Sequence, residues 1–302
     1  MDTEKCRVLL TVLDRGNLSA AADELGYTPS GISRMMQSLE EDAGFPLLTR
    51  SRNGVAPTQE CLQLLPAIRE LARAGQRYGE RTAALRGAET GTVRVGCAYP
   101  NYYGWLANVI ASFVRQHPGI EVEILEGYST RLCQAVAAQE ADFVIASRRE
   151  GDFDFIPLLQ DPLVAVVPPD HPAVRRGVYA MKDFEKESFI GRHPMEGTDN
   201  DRAFSALGIQ PDIRHRAVDT QACLFLVAAG LGVTLDNRII EQEADTAGVR
   251  LIPTDPEWIV EIGIVLPKRE DRSPAAAKFA ALQRPAWKGP AEDRPGPIPP
   301  IL

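Results

Sequence analysis

The residues of this 302-residue chain that could do chemistry with an outside partner are hydroxyls, amides and arginines, in two groups. Ser19, Thr28, Pro29, Ser30, Ser33, Arg34, Gln37, Arg50 and Arg52 fall within one short stretch. Such donors and acceptors, presented on one face, suit base edges and backbone phosphates, and a proline among them offers only apolar contact. The second group is Tyr99, Pro100, Asn101, Tyr102, Ser129, Thr130, Ser147, Arg192, Thr198 and Thr220. It combines hydroxyls, a cation and flat aromatic surface, which suits a small-molecule ligand that is somewhat larger or aromatic, and anionic as well where the cation is used. Catalytic constellations are missing. His117, His171, His193 and His215 lie far apart with no HExxH, and there is no GxSxG, P-loop or GxGxxG, because Gly230 and Gly232 read as a helix stop before a strand. The chain is therefore expected not to be an enzyme and to carry no metal or cofactor. Cys6, Cys61, Cys97, Cys133 and Cys223 form no CxxC pair and read as reduced, inert thiols. A thiol switch at Cys97 or Cys133 is the rival reading.

The first group needs an element that can hold it against a duplex. Residues 3–13 carry Cys6, Leu9, Leu10 and Leu13 at helix spacing, and Gly16 ends that pattern. Ser19 reads as the N-cap of a short second helix lined by Ala21, Ala22 and Leu25, which stops at Gly26. Thr28 caps a third helix, Pro29 takes its first position, and Gly44 closes it. A small residue at Ala22, a glycine four residues on and Ile32 six beyond that describe two helices crossing at a fixed, steep angle, the helix-turn-helix, although helix pairs in ordinary bundles can show the same spacing. Turning Ile32, Met35, Met36 and Leu39 inward leaves Ser30, Ser33, Arg34 and Gln37 outward. "PLLTRSRNGVAPT" then reads as a hairpin about Asn53-Gly54, a wing with Arg50 and Arg52 on its arm. Residues 59–86 read as one long helix with a seam at Cys61, Leu64, Ile68, Leu71, Gly75, Tyr78, Thr82 and Leu85, and with Pro66 predicting a kink near its start.

The second group lies where the chain changes character. After the small, polar stretch at residues 86–92, strands and helices alternate twice over, which predicts two α/β lobes with a cleft between them. Positions just after the strands face such a cleft, which places the second group there, with Arg148 or Arg192 reinforcing an anion. The apolar runs are too short for a membrane span and no secretory pattern is present at the amino terminus, so the expected location is the cytoplasm, without membrane contact. That also argues against a secreted solute-binding protein with a fused helical cap. The formal charge of −8 is unhelpful to a nucleic-acid reading unless local arrangement overrides it.

The stretch "LSAAADELGYTPSGISRMMQSLEEDAGFPLLTR" resembles the SxAAxxLxxSQPAxSxxIxxLExxLGxxLFxR pattern of the bacterial LysR-type transcriptional regulators, with Ala21, Ala22, Leu25, Ser33, Leu39, Glu40, Gly44, Leu47 and Arg50 in matching places. "VRVGCA", "PGIEVEILEG", "ADFVIAS", "PLVAVVPPDHPAV" and "LVAAGLGVTL" echo the receptor half. The resemblance implies an α/β multidomain chain: an all-α winged helix-turn-helix at 1–58, a linker and dimerisation helix with its hinge at 59–91, and a two-lobed effector-binding domain at 92–288. One lobe would hold about 92–162 and 259–288, the other about 163–258. Residues 289–302 would be a disordered, proline-rich tail. It implies double-stranded promoter DNA, a small-molecule effector, RNA polymerase and further copies of the chain, as dimer or tetramer, for partners. Two departures are plain. Thr28-Pro29-Ser30 stands where the family has Ser-Gln-Pro, so the base-reading glutamine is absent, and "YPNYYGW" stands where a Ser or Thr usually opens the first receptor helix.

Overall fold

A computed structural model describes residues 2–51, 54–86, 90–192, 197–242 and 246–281. The chain divides into two compact units, Met1–Ala88 and Glu89–Leu302. Arg52, His193 and the tail 289–302 lie outside the described residues. Among those described, no helix is long and apolar enough to cross a membrane.

The first unit begins with α1 (Thr3–Arg15), α2 (Leu18–Leu25) and α3 (Pro29–Ala43). The cap of α2 is Asn17, whose Oδ1 accepts from the Ser19 and Ala20 amides at 2.7 and 3.3 Å. Ser19 itself stands exposed in the first turn, so the expected cap lay two residues late; an Asn in extended conformation supplies the same side-chain acceptor one residue before the helix begins. Thr28 does cap α3, accepting from the Gly31 amide at 3.1 Å, with Pro29 at the first position. Gly26, at φ 70°, turns the chain in the left-handed region that other residues enter only with strain, and Ala21, Ala22, Ile32, Met36 and Leu39 pack with Cys6, Val8, Leu9 and Val12 beneath it. Met35 is only partly buried. Each large apolar side chain buried this way contributes ~1.5–3 kcal/mol.

The wing is the antiparallel pair β1 (Leu48–Ser51) and β2 (Gly54–Pro57), with Arg50 opposite Val55. Two contacts seat it. Glu40 Oε1 accepts from the Leu47 and Leu48 amides at 2.8 and 3.0 Å, and the Val55 amide donates to the Gly16 carbonyl at 2.8 Å. A Cβ on Gly54 would lie 2.5 Å from that same carbonyl, so only glycine allows the approach.

The long helix α4 (Gln59–Leu85) runs through Pro66 as one assigned helix. Its sequence seam divides into two heptad rows with different fates. Cys61 and Ile68 are buried in the unit's own core, and a Cβ on Gly75 would lie 2.7 Å from the Thr3 side chain of α1. The other row surfaces: Leu71, Tyr78 and Leu85 are 37%, 75% and 90% exposed.

The second unit is a mixed α/β fold. Its strands are β3 (Gly91–Cys97), β4 (Ile120–Glu126), β5 (Phe143–Ser147) and β6 (Asp154–Val167), then β7 (Tyr179–Ala180), β8 (Phe189–Arg192), β9 (Ile213–Ala217), β10 (Thr234–Asn237), β11 (Arg250–Asp255) and β12 (Ile259–Leu266). The helices are α5 (Tyr103–Gln116), α6 (Ser129–Ala137), α7 (Pro172–Arg176), α8 (Asp199–Leu207), α9 (Thr220–Ala228) and α10 (Pro274–Ala280). The main sheet runs β4-β3-β5-β12-β6-β11-β7, with β10 also on β6, while β8 and β9 pair apart from it. The strand β6 joins the lobes: Asp154 to Pro162 pair with β12, and Leu163 to Val167 pair with β10 and β11. Each lobe has an aromatic knot. Phe279 meets Phe113 and Phe143 edge-on at 5.1 and 5.2 Å between ring centres, and Phe184, Phe189 and Phe204 meet pairwise at 5.3 to 5.5 Å. Edge-to-face pairs of this kind add ~0.5–1.5 kcal/mol each beyond their buried area.

Candidate DNA-contact face and effector cleft

On the first unit, α3 offers Ser30, Arg34 and Gln37 as exposed residues, with Ser33 partly buried and Thr28 and Pro29 exposed at its amino-terminal end. The wing reaches the same face, because Arg50 Nη1 donates to Ser33 Oγ at 3.3 Å. Gln37 donates to Glu41 Oε1 at 3.0 Å, so its amide is already engaged within the helix. Two other arginines are neutralised at a distance in sequence from this face: Arg7 pairs with Glu4 at 2.5 Å and Arg15 with Glu24 at 2.5 Å. Local pairing thus answers the acidic balance of the chain, since among the described residues Arg34 on α3 and Arg50 on the wing arm do not share those carboxylates.

On the second unit, Tyr99, Ser129, Thr130 and Ser147, distant in sequence, come together around a residue that sequence reasoning passed over, Asp199. Its Oδ2 accepts from Tyr99 Oη at 2.8 Å, and its Oδ1 accepts from Ser147 Oγ at 2.7 Å and from Arg149 Nη2 at 3.0 Å. Arg149 binds the ring of hydroxyls together. Its Nη1 donates to Ser147 Oγ at 2.6 Å, its Nε to Thr130 Oγ1 at 2.8 Å and its Nη2 to the Gly197 carbonyl at 3.3 Å. Thr130 Oγ1 donates in turn to that carbonyl, and Ser129 Oγ accepts from the Ser147 amide at 3.0 Å. The Arg149 and Asp199 side chains are 8% and 11% exposed, so the pair is held largely out of water. Burial, and then the charge of Asp199, push the Tyr99 phenol well above its ordinary range, so it remains a donor.

The position of Asp199 is fixed by the start of α8. Thr198 Oγ1 accepts from the Asp201 amide at 3.2 Å, while Asp201 Oδ2 accepts from the Gly197 amide at 2.8 Å. This reciprocal cap leaves Asp199 at the first helical position. Of the two arginines the sequence offered for an anion, Arg192 lines the recess described below, whereas Arg148 is turned elsewhere: it bonds Glu261 and lies over the Phe155 ring at 4.2 Å. The rings of Tyr99 and Tyr102 belong to the core, so the flat surface expected of them is not presented to the cleft; only the Tyr99 hydroxyl is. Pro100 is exposed at the start of the short turn, residues Pro100–Tyr102, that also carries Asn101.

The other lobe contributes Arg192 and Thr220, joined by Arg192 Nη1 donating to Thr220 Oγ1 at 2.6 Å. Arg192 also lies 3.6 Å from Asp236, whose charge strengthens its hold on the proton. Asp236 is itself raised above the usual carboxylate range by burial, against the pull of Arg192. A recess of about 20 Å³, lined by Arg192, Thr198, Asp199, Asn200, Asp236 and Asn237, lies here. That is room for about one water. Asp199, Asn200, Asp236 and Asn237 went unnamed by the sequence argument; the usable signal was an acid set directly after the Thr198 cap. No group of metal-ligating side chains occurs among the described residues. All five cysteines are buried, and burial pushes Cys133 and Cys223 up to about 11, which disfavours the reactive thiolate.

Comparison with known proteins covers both units. Residues 3–62 match the family model described as "Bacterial regulatory helix-turn-helix protein, lysR family", and residues 86–288 match "LysR substrate binding domain". The HTH-type transcriptional regulator CbbR of Xanthobacter flavus is 27% identical over 274 residues, 88% of this chain and 82% of that one. The crystal structure of full-length CbnR complexed with its target DNA superposes with a TM-score of 0.57 at 21% identity, over 92% of this chain and 97% of that one. The effector-binding domain of QuiR in complex with shikimate gives 0.51 at 23% identity, over 63% of this chain and 93% of that one. With a winged helix-turn-helix in one unit and a two-lobed α/β domain in the other, the chain belongs to the LysR family of DNA-binding transcriptional regulators with an effector-binding domain.

Proposed function

We propose that this regulator works in the cytoplasm as a dimer or dimer of dimers, reading its operator through α3 and the wing and answering to a small anionic effector in the lobe cleft. The observation that carries the DNA half is the shared face of Ser30, Ser33, Arg34 and Arg50, with the wing arm bonded to the helix. Arg34 is placed to reach base edges, while Arg50, Arg52 and Ser19 suit phosphates. The thymine-methyl contact open to Pro29 replaces the amide readout that the family pattern would lead one to expect. Pairing of copies is supported by the exposed row Leu71, Tyr78 and Leu85 on α4, spaced by seven. The cleft's cations, Arg149 and Arg192, support an anionic ligand, and the burial of the Tyr99 and Tyr102 rings favours a compact one. Such a ligand would change the packing of the lobes and so the response of polymerase at the promoter, with a coupling on the order of 1–3 kcal/mol.

Purified protein should retard a duplex carrying its own upstream region at tens of nanomolar, and a random duplex only at about a thousandfold higher concentration. No preference between the two would end the reading. Replacing both Leu71 and Tyr78 by glutamate should lower the mass seen in light scattering by at least half; an unchanged mass would remove α4 from the interface.

A further inference from the structure

The donors that converge from Tyr99, Ser147 and Arg149 form a complete seat for one carboxylate, and that seat is taken by the chain itself. Two oxygens of Asp199 receive three bonds, at 2.7, 2.8 and 3.0 Å, from three residues of one lobe, while Asp199 rides on α8 of the other. The seat is a built one: Ser147 is 1% exposed and the Arg149 side chain 8%. Within its own lobe Arg149 is held by Thr130 through Nε and by Ser147 through Nη1, so these two bonds aim the guanidinium without Asp199. The neighbouring recess lined by Asp199 has room for about one water, so the seat itself is filled by the Asp199 carboxylate.

We infer that Asp199 is an internal stand-in for the carboxylate of the effector, latching the lobes, and that a ligand gains this seat by presenting its own carboxylate and expelling that of Asp199. The inference deepens the cleft reading above and rests on it for the name effector. The chemistry is an exchange of one anion for another on the same donors. No net charge is buried, and the exchange favours the newcomer only through the remainder of the ligand and through the release of α8. Removing the side chain of Asp199 should therefore turn the seat into a site for small free carboxylates, which the intact chain refuses.

The test uses the purified full-length protein, with sodium formate as probe and sodium chloride at equal ionic strength as control. The melting temperature of the unaltered protein should be the same in both salts. That of Asp199→Gly should be higher in formate by about 3–5 °C at formate well above its dissociation constant. A variant that responds to formate no more than the unaltered protein overturns the proposal. Should Asp199→Gly fail to fold, Asp199→Asn decides: it keeps the shape but loses the charge, and the amides of Ser147 and of the first turn of α8 should then exchange with deuterium at least tenfold faster. Equal protection in the two proteins would equally overturn the latch. Neither readout involves DNA, so failure here is distinct from failure of the operator reading.

Discussion

The arginines of the two units stand in opposite conditions. On α3, Arg34 projects into solvent, and on the wing the partner of the Arg50 side chain among the described residues is a serine hydroxyl, so neither cation is matched there by a carboxylate. In the cleft, Arg149 and Arg192 each face a carboxylate of the same chain, Asp199 and Asp236. A nucleic-acid face can be left open because water solvates its charges at small cost until phosphate arrives. A closed cleft has no such solvent, and an unmatched cation there would cost several kcal/mol. On the proposed reading, the face of α3 and the wing is therefore ready for addition, whereas the cleft is ready only for exchange.

Breaking the cleft side of this contrast should have the largest effect. Arg149→Met strands Asp199 in a buried site and should destabilise the second unit by about 3–5 kcal/mol in a urea titration. Arg148→Met, next door, removes an exposed partner of Glu261 and should cost under about 1 kcal/mol. Equal costs would mean that burial does not separate these two neighbours. A second probe is Asp161, on β6 beside the junction of the lobes, which burial raises to about 7. A carboxyl whose folded value lies above its unfolded one favours the folded state in acid, and this contribution is lost as pH climbs from about 4 to about 7. Asp161→Asn should accordingly gain on the unaltered protein across that window, by roughly 2–4 kcal/mol at pH 8 relative to pH 4. Parallel stability curves for the two proteins would show that Asp161 does not titrate in this way. The smallest effects belong to the DNA face. Arg34→Ala should weaken operator binding by about 1–3 kcal/mol with stability unaltered, and Arg50→Ala should lower the slope of log affinity against log salt by about 1. If Arg34→Ala left specific binding intact, the outward face of α3 would not be the reading face.

What could be foreseen followed the range of the interaction. Thr28, Pro29, Gly26 and Gly44 are governed by rules acting within four residues, and the turns they specify are in the structure. The wing was legible for the same reason. The seam of α4 was not, because two heptad rows look alike in sequence; only the packing of Cys61, Ile68 and Gly75 against α1 tells which row serves its own unit. The cleft was half legible. Ser129, Thr130, Ser147 and Thr198 follow from where strands end and helices begin, but Asp199 meets Arg149 across fifty positions of chain. The choice between Arg148 and Arg149 depended on the alternation beyond β5. The Arg148 amide extends the sheet by bonding Glu261, and its side chain falls on the sheet face that carries Phe155, leaving the next residue for the cleft.

Glu40 has a further consequence. By holding the amides of Leu47 and Leu48 from the last turn of α3, it makes the wing and the reading helix a single stiff body. In the proposed dimer, an effector signal arriving at a pair of such bodies would alter the distance or the phase between two stretches of duplex. On that reading it would leave untouched the way each body grips its own stretch, so the sequence preference of each half-site should be the same with and without ligand.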